Sequence, residues 1–345
     1  MIRFGPSGIP LSCKGRTLED GIEDVHKLGL NAFEVQFLRP KVRTRPVEDE
    51  EIGLKAKNVP EKFIIGVNRG RDYKEIFVED LEKELKRGDM IHSITGGVAE
   101  DFYKFQRLSR LSKELDVKMS LHTPYYIKLT ETGTEAVEKS RRHFKYGAIM
   151  ADILDAGTIV THLGVKEEGK DKDDIEQAVV ENLRELRDWI TEKCEKDIKI
   201  GIETQTGEDV YGNLDEILEI CRQVSETVPV INFAHIKAEG NYSLKDEEDF
   251  AEIFHKCENF VKDEYYVNFS GVEKRRTGEC RMTPIKRGDL NFEDLVDYLI
   301  KTEDNITIIS TSPLKEHDAM YMKVIFERIY SREIGKELRR ENKDE

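Results

Sequence analysis

VKMSLHTPYYIKL, residues 117–129, sets a histidine directly behind a short apolar run and follows it with a proline and two tyrosines. A run of this length, closed by proline, reads as a buried strand ending at His122. The event recurs. TIVTHLG (158–164) carries His162 at its end, IKIGIET (198–204) carries Glu203, and VPVINFAH (228–235) carries Asn232 and His235. IRFGPS (2–7), AFEVQF (32–37), YYVNFSG (265–271) and ITIISTS (306–312) bring the number of such runs to eight.

Longer stretches of helical periodicity lie between them. In DDIEQAVVENLRELRDWITEKCE, Ile175, Val179, Leu183, Leu186 and Ile190 fall three and four residues apart, an apolar stripe suited to lying on a sheet. Near-continuous apolar strands alternating with amphipathic helices imply a parallel sheet covered by helices. Eight such units in 345 residues predict a closed (β/α)8 TIM barrel, and no glycine-rich phosphate loop supports an open doubly wound sheet. Residues 1–345 are therefore read as a single barrel domain. One connection breaks the rhythm: about sixty residues separate the second strand from the helix at 101–115. We read 40–98 as an inserted subdomain on the C-terminal face, with a strand at KFIIGVNRG and a helix at FVEDLEKELKRG. Residues 331–345 are read as a helical tail that extends the last helix and then frays.

The net charge of −15 argues against a general polyanion binder while leaving a local basic patch open. No apolar run is long enough to span a bilayer and no signal peptide is recognisable, so no membrane partner is expected. The five scattered cysteines form no C-x-x-C pair, which points away from structural zinc and towards a reducing, cytoplasmic setting.

In a barrel the C-terminal strand ends converge on one mouth, where chemistry sits. There the sequence places His122, His162, Glu203, Asn232, His235, Asn268 and Thr311. Two imidazoles and a carboxylate from neighbouring strands suit a divalent transition metal, with His235 as a further ligand or a supporting partner. Tyr125 and Tyr126 offer flat faces for a sugar or a base, or pack as core. Arg39 opens the basic stretch RPKVRTRP (39–46), which reads either as a phosphate-backbone contact or as a solvated loop.

FEVQF (33–37), LHTPYYIKL (121–129), THLG (161–164), IETQTG (202–207), INFAH (231–235), GECRMTPIKRGDLNFEDL (278–295) and ISTSPLKEHDA (309–319) together resemble the endonuclease IV family of AP endonucleases, within the xylose-isomerase-like barrels. The resemblance spans the barrel but not 40–98. It implies cleavage of DNA 5′ to abasic sites by a zinc cluster, with His122, His162 and Glu203 as ligands of the first metal, Glu203 bridging towards the second as the catalytic carboxylate, and His235 as a ligand of the third. The chain departs from the pattern at Asn232, Asn268, Met282 and Thr311, where the family carries aspartate, histidine, histidine and glutamate. Neutral amides are weak ligands, so the expectation is at most one well-held divalent metal, zinc or manganese, with Tyr125, Arg39, Asn232 and Asn268 facing substrate. The expected partner is DNA or another sugar-phosphate. The alternatives are a sugar isomerase or epimerase of the related barrels and a non-catalytic binding descendant.

Overall fold

The strand that begins the chain, β1 (Ile2–Pro6), pairs in parallel with the last barrel strand, β13 (Ile306–Ser310). From there the sheet runs through β10 (Tyr265–Phe269), β9 (Thr227–Asn232), β8 (Lys199–Glu203), β7 (Thr158–Thr161) and β6 (Lys118–His122) to β2 (Ala32–Gln36), every neighbour parallel. All eight predicted runs are barrel strands. The computed structural model describes residues 1–60, 63–69, 81–95, 98, 100–274 and 280–344, and of 274, 337, 338 and 341–344 the backbone alone.

Between β1 and β2 the ring closes on a single bridge, Ser7 to Glu34. The Gly8 amide donates to the Glu34 carbonyl at 2.8 Å and the Asn31 amide to the Phe4 carbonyl at 3.0 Å. Gly5 makes this approach possible. A Cβ there would lie 1.8 Å from the Ala32 carbonyl oxygen, so any side chain would force the two strands apart.

Helices cover the outside as their sequences require. In α4 (Lys172–Lys193) the stripe of Ile175, Val179, Leu183, Leu186 and Ile190 is buried, and Asp171 caps the helix by accepting from the Asp174 amide. In α1 (Leu18–Lys27) and α5 (Leu214–Gln223) reciprocal capping boxes, Thr17 with Asp20 and Asn213 with Glu216, fix the first turn. The remaining helices are α2 (Phe102–Glu114), α3 (Glu135–Leu154), α6 (Phe233–Glu239), α7 (Glu247–Cys257), α8 (Phe292–Leu299) and α9 (Glu316–Asp344). The last runs as helix through to Asp344, where fraying was expected. No helix among the described residues is long and apolar enough to cross a membrane. Inside the ring, Ala32, Val160, Val230, Tyr266 and Ile309 pack as one apolar layer, forming the floor beneath the mouth.

Between β2 and α2 the chain builds a second sheet, antiparallel, from β3 (Lys41–Pro46), β4 (Phe63–Asn68) and β5 (Met90–Thr95), in the order β3-β5-β4. Alternation divides its faces. Phe63, Ile65 and Ile94 join the main core, with Phe63 edge-on to Phe105 of α2 at 5.2 Å. Ile64 and Ile91 turn the other way, onto Ala56, Val59, Leu81 and Leu85. The basic stretch expected as a loop is therefore the exposed edge strand β3. Of the helix expected over FVEDLEKELKRG, residues 77–80 lie outside the described residues, and 81–88 are turns and a short 3-10 segment rather than α-helix.

Candidate metal centre

β6, β7 and β8 are adjacent; His122 and Glu203 end β6 and β8, and His162 directly follows the last residue of β7, Thr161, on the inward side of the pleat. This brings the Nε2 atoms of His122 and His162 each to 2.8 Å from the same oxygen, Oε2 of Glu203. Ligating atoms of the three residues lie within 4.8 Å of one another; His122 and Glu203 are buried and His162 is partly exposed. The two imidazole rings meet edge to face at 4.9 Å.

The other carboxylate oxygen, Oε1, accepts from the amides of Asn232 at 2.7 Å and Asn268 at 2.8 Å. Asn232 has no freedom to turn round. It is the N-cap of α6, where its Oδ1 accepts from the backbone amides of Ala234 and His235, so only its NH2 faces the carboxylate. Sequence reasoning took Asn232 and Asn268 for substrate contacts and weak oxygen ligands. In the fold both are donors that occupy Glu203. Asn268 keeps a buried Oδ1 with no hydrogen-bond partner, as does the Thr311 hydroxyl at the end of β13.

Four donors on one buried carboxylate decide its charge. Burial alone would raise the Glu203 carboxyl, but the imidazoles of His162 and His122 outweigh it and hold it well below the usual range. Burial also works against charge on His122, yet its hydrogen bond to Glu203 and the nearby Glu34 carboxyl lift it to about 9. His162 goes the other way: burial keeps it below its ordinary value and largely neutral. The ring of His122 has its Nδ1 on the Thr123 carbonyl at 2.7 Å, which reserves Nε2 for a ligand once that nitrogen gives up its proton.

His235 stands apart from this trio. It lies in the first turn of α6 rather than at a strand end, with Nδ1 on the Thr204 carbonyl at 2.6 Å, and it is not among the ligating atoms that converge. Met282, on β12 (Cys280–Thr283), which pairs antiparallel with β11 (Gly271–Lys274), accepts from the Ser270 hydroxyl through sulfur at 3.0 Å. Asp318 is occupied by the Ile285 amide and the Ser312 hydroxyl, and Glu279 lies outside the described residues. At the rim, Arg39 reaches the exposed Tyr125, with Nη2 3.3 Å from its hydroxyl and the guanidinium 5.8 Å from the ring centre. Tyr126 turns inward and donates to Nδ1 of His143, a ring that burial pushes down to about 4.

One mouth residue escaped the sequence reading. Glu34 on β2 is fully buried and accepts from the Ser7 hydroxyl at 2.9 Å, Gln36 at 2.8 Å and the Tyr266 hydroxyl at 3.0 Å. Burial raises its carboxyl above the usual range, partly offset by His122. The signal was a glutamate inside the apolar FEVQF, on the same pleat face as Gln36.

A family model described as a xylose isomerase-like TIM barrel matches residues 70–322. The uncharacterized protein MJ0133 of Methanocaldococcus jannaschii is 26% identical over 253 residues, covering 70% of this chain and 91% of that protein. Among solved structures, a D-tagatose 3-epimerase-like protein superposes with a TM-score of 0.59 at 16% identity, covering 95% of this chain and 99% of that one. Endonuclease IV from Thermus thermophilus gives 0.58 at 15% identity with the same coverage. At such identities these likenesses speak for the fold alone.

Proposed function

The chain belongs to the xylose isomerase-like TIM-barrel family, and on that premise we propose a cation-dependent phosphodiesterase of the endonuclease IV kind, acting on abasic-site DNA or a related sugar-phosphate with one divalent metal. The observation that carries the reading is the division of labour on Glu203. Oε2 sits between two imidazole nitrogens, while Oε1 is closed by two amides. His122, His162 and Glu203 Oε2 would hold one cation. Two imidazoles and a carboxylate favour zinc, with manganese the alternative. When bound, such a cation supplies Lewis acidity, polarising a phosphoryl oxygen and easing the ionisation of water.

The chain's own groups do the rest. Glu203, fixed as a carboxylate by its donors, serves catalysis by holding the cation rather than by taking a proton. With the amides of Asn232 and Asn268 on Oε1, Glu203 has no free oxygen to bridge to a second cation, so leaving-group stabilisation falls to protein donors. Arg39 beside Tyr125 offers a cation and a flat face at the rim, and Lys41 and Arg43 are exposed on β3. Arg45 is committed to Glu51.

A sugar isomerase or epimerase is the second reading. Glu34 favours it, as a further buried carboxyl on the face of β2 that looks into the mouth, since proton transfer at a sugar carbon uses paired acid and base groups. Metal content of protein purified without chelator, incision of an abasic-site duplex and turnover of a ketose are the deciding measurements. The proposal expects one zinc or manganese per chain and incision that disappears in His162→Ala. Ketose turnover without incision at high enzyme concentration would replace it by the second reading. Absence of bound metal would leave the barrel a non-catalytic binder.

A further inference from the structure

Lys315 follows the end of β13 and immediately precedes α9. Its ammonium stands over the β1–β2 seam. A Cβ added to Gly8 would meet Lys315 Nζ at 3.2 Å and Gln36 Cγ at 3.3 Å. The ammonium donates to the Ile9 carbonyl at 3.0 Å, and no carboxylate lies within ion-pair distance of it among the described residues. Its neighbour Glu316 makes no ion pair with it: fully buried, that carboxylate accepts from the backbone amides of Leu11 and Ser12.

This is unusual company for a lysine in a chain with 70 acidic and 55 basic residues, where ion pairs abound. A half-buried ammonium with one neutral acceptor carries a desolvation cost that the charge of Glu316 offsets only in part, with the Arg16 cation working against it. Burial accordingly lowers its proton affinity. The same loop brings a second donor without an acceptor, the buried Thr311 hydroxyl. The wall beside it is shaped by Gly8, whose φ of 78° suits glycine and whose missing side chain leaves room next to the ammonium. Gln36 adds an oriented amide. Both of its N–H groups are used, one on Ser7 Oγ at 2.7 Å and one on Glu34 at 2.8 Å, so its oxygen is turned away from them.

We infer that Lys315, with Thr311 and the Gly8 wall, forms a phosphoryl-binding subsite over the β1–β2–β13 arc of the mouth, on the side where β2 pairs with β6 and apart from the cluster of His122, His162 and Glu203. The substrate therefore presents a second anionic phosphoryl group some distance from the reacting one. This rests on the phosphoester reading above and narrows it: a neutral sugar leaves the subsite empty. A polynucleotide supplies such a group as the neighbouring backbone phosphate, and a small sugar supplies it as a phosphomonoester.

Titration with inorganic phosphate, followed by calorimetry, tests the subsite apart from the reaction. Wild-type protein should bind phosphate both metal-loaded and after chelation, and His162→Ala should bind it equally well. Lys315→Met should weaken binding by about tenfold or more, and Lys315→Arg should retain most of it. In the unmodified protein the Lys315 amine, observed by 13Cε NMR, should move to higher pKa as phosphate is added. This readout stands even where Lys315→Met fails to fold. Phosphate affinity unchanged in Lys315→Met, or lost on chelation and in His162→Ala, would overturn the subsite, because the anion would then sit elsewhere or on the metal. A pentose 5-phosphate and a short oligonucleotide compete for the bound phosphate in turn. Whichever displaces it identifies the source, and failure of both overturns the proposal. Loss of abasic-site incision with phosphate binding intact would refute the phosphodiesterase reading alone.

Discussion

Without metal, the charge on His122 should be visible as a pH dependence of stability. In the stripped protein its imidazolium donates to Glu203 and to the Thr123 carbonyl and titrates at about 9, against 6.5 for an ordinary histidine. The folded state thus holds this proton more tightly than the unfolded one. The resulting stabilisation is fully present below pH 6.5 and is lost as pH rises through 9. At ~1.4 kcal/mol per pH unit the separation corresponds to about 3 kcal/mol, a sizeable part of a domain's net stability. His143 works in the acid direction instead. Held down to about 4, it costs stability only as pH falls below 6.5, so the two windows do not overlap. The assay is urea unfolding of chelated and zinc-loaded protein at pH 6, 7, 8 and 9. Chelated protein should lose about 3 kcal/mol across that range. Zinc-loaded protein should not show this loss, because a ligating Nε2 carries no proton to give up. Equal stability of the chelated protein at pH 6 and 9, or the same decline with zinc bound, would refute the assignment of charge to His122.

Other outcomes follow from the same contacts. Asn232→Asp keeps the cap on α6 but replaces a donor at 2.7 Å by a second carboxylate, so the metal-free protein should lose roughly 1.5–3 kcal/mol while zinc per chain rises above one; unchanged stoichiometry by elemental analysis would contradict the role given to the amide. Gly5→Ala should cost several kcal/mol, on the order of an overpacked core, because its methyl meets the Ala32 carbonyl; a melting temperature within a degree or two of wild type would show that the seam can widen freely. Phe105→Ala should cost about 3–5 kcal/mol and loosen β3–β5 before the barrel, visible as faster proteolysis within 40–98.

The barrel was legible because its information is local. Each strand is an apolar run ended by a polar residue or a turn, and each helix carries its own stripe and cap, as Ile175 to Ile190 and Asp171 do in α4. His122, His162 and Glu203 could be placed together for the same reason, since strand ends in a barrel converge whatever the sequence between them. Direction was the hidden part. Nothing in INFAH says that Asn232 spends its oxygen on a helix cap and so turns its NH2 to Glu203, and the same helix carries His235 out of the convergent set. Edge strand β3 was missed because Lys41, Arg43 and Arg45 alternate with Val42, Thr44 and Pro46 without any buried apolar face to mark a strand, and its partner β5 lies more than forty residues on. Glu34 was hidden because one acidic residue in an apolar strand looks like an interruption until its pleat face is known.

The join at Gly5 and Ser7 has one more consequence. Every other boundary in the ring is a ladder of hydrogen bonds, whereas this one is a single bridge flanked by a few contacts. Backbone amides there, Gly8 and Asn31 foremost, are the natural place for the ring to breathe. On the proposed reading, a molecule resting on Lys315 above that join and also on a cation held by His122, His162 and Glu203 would act as a clasp, so that occupancy and closure of the barrel would reinforce one another.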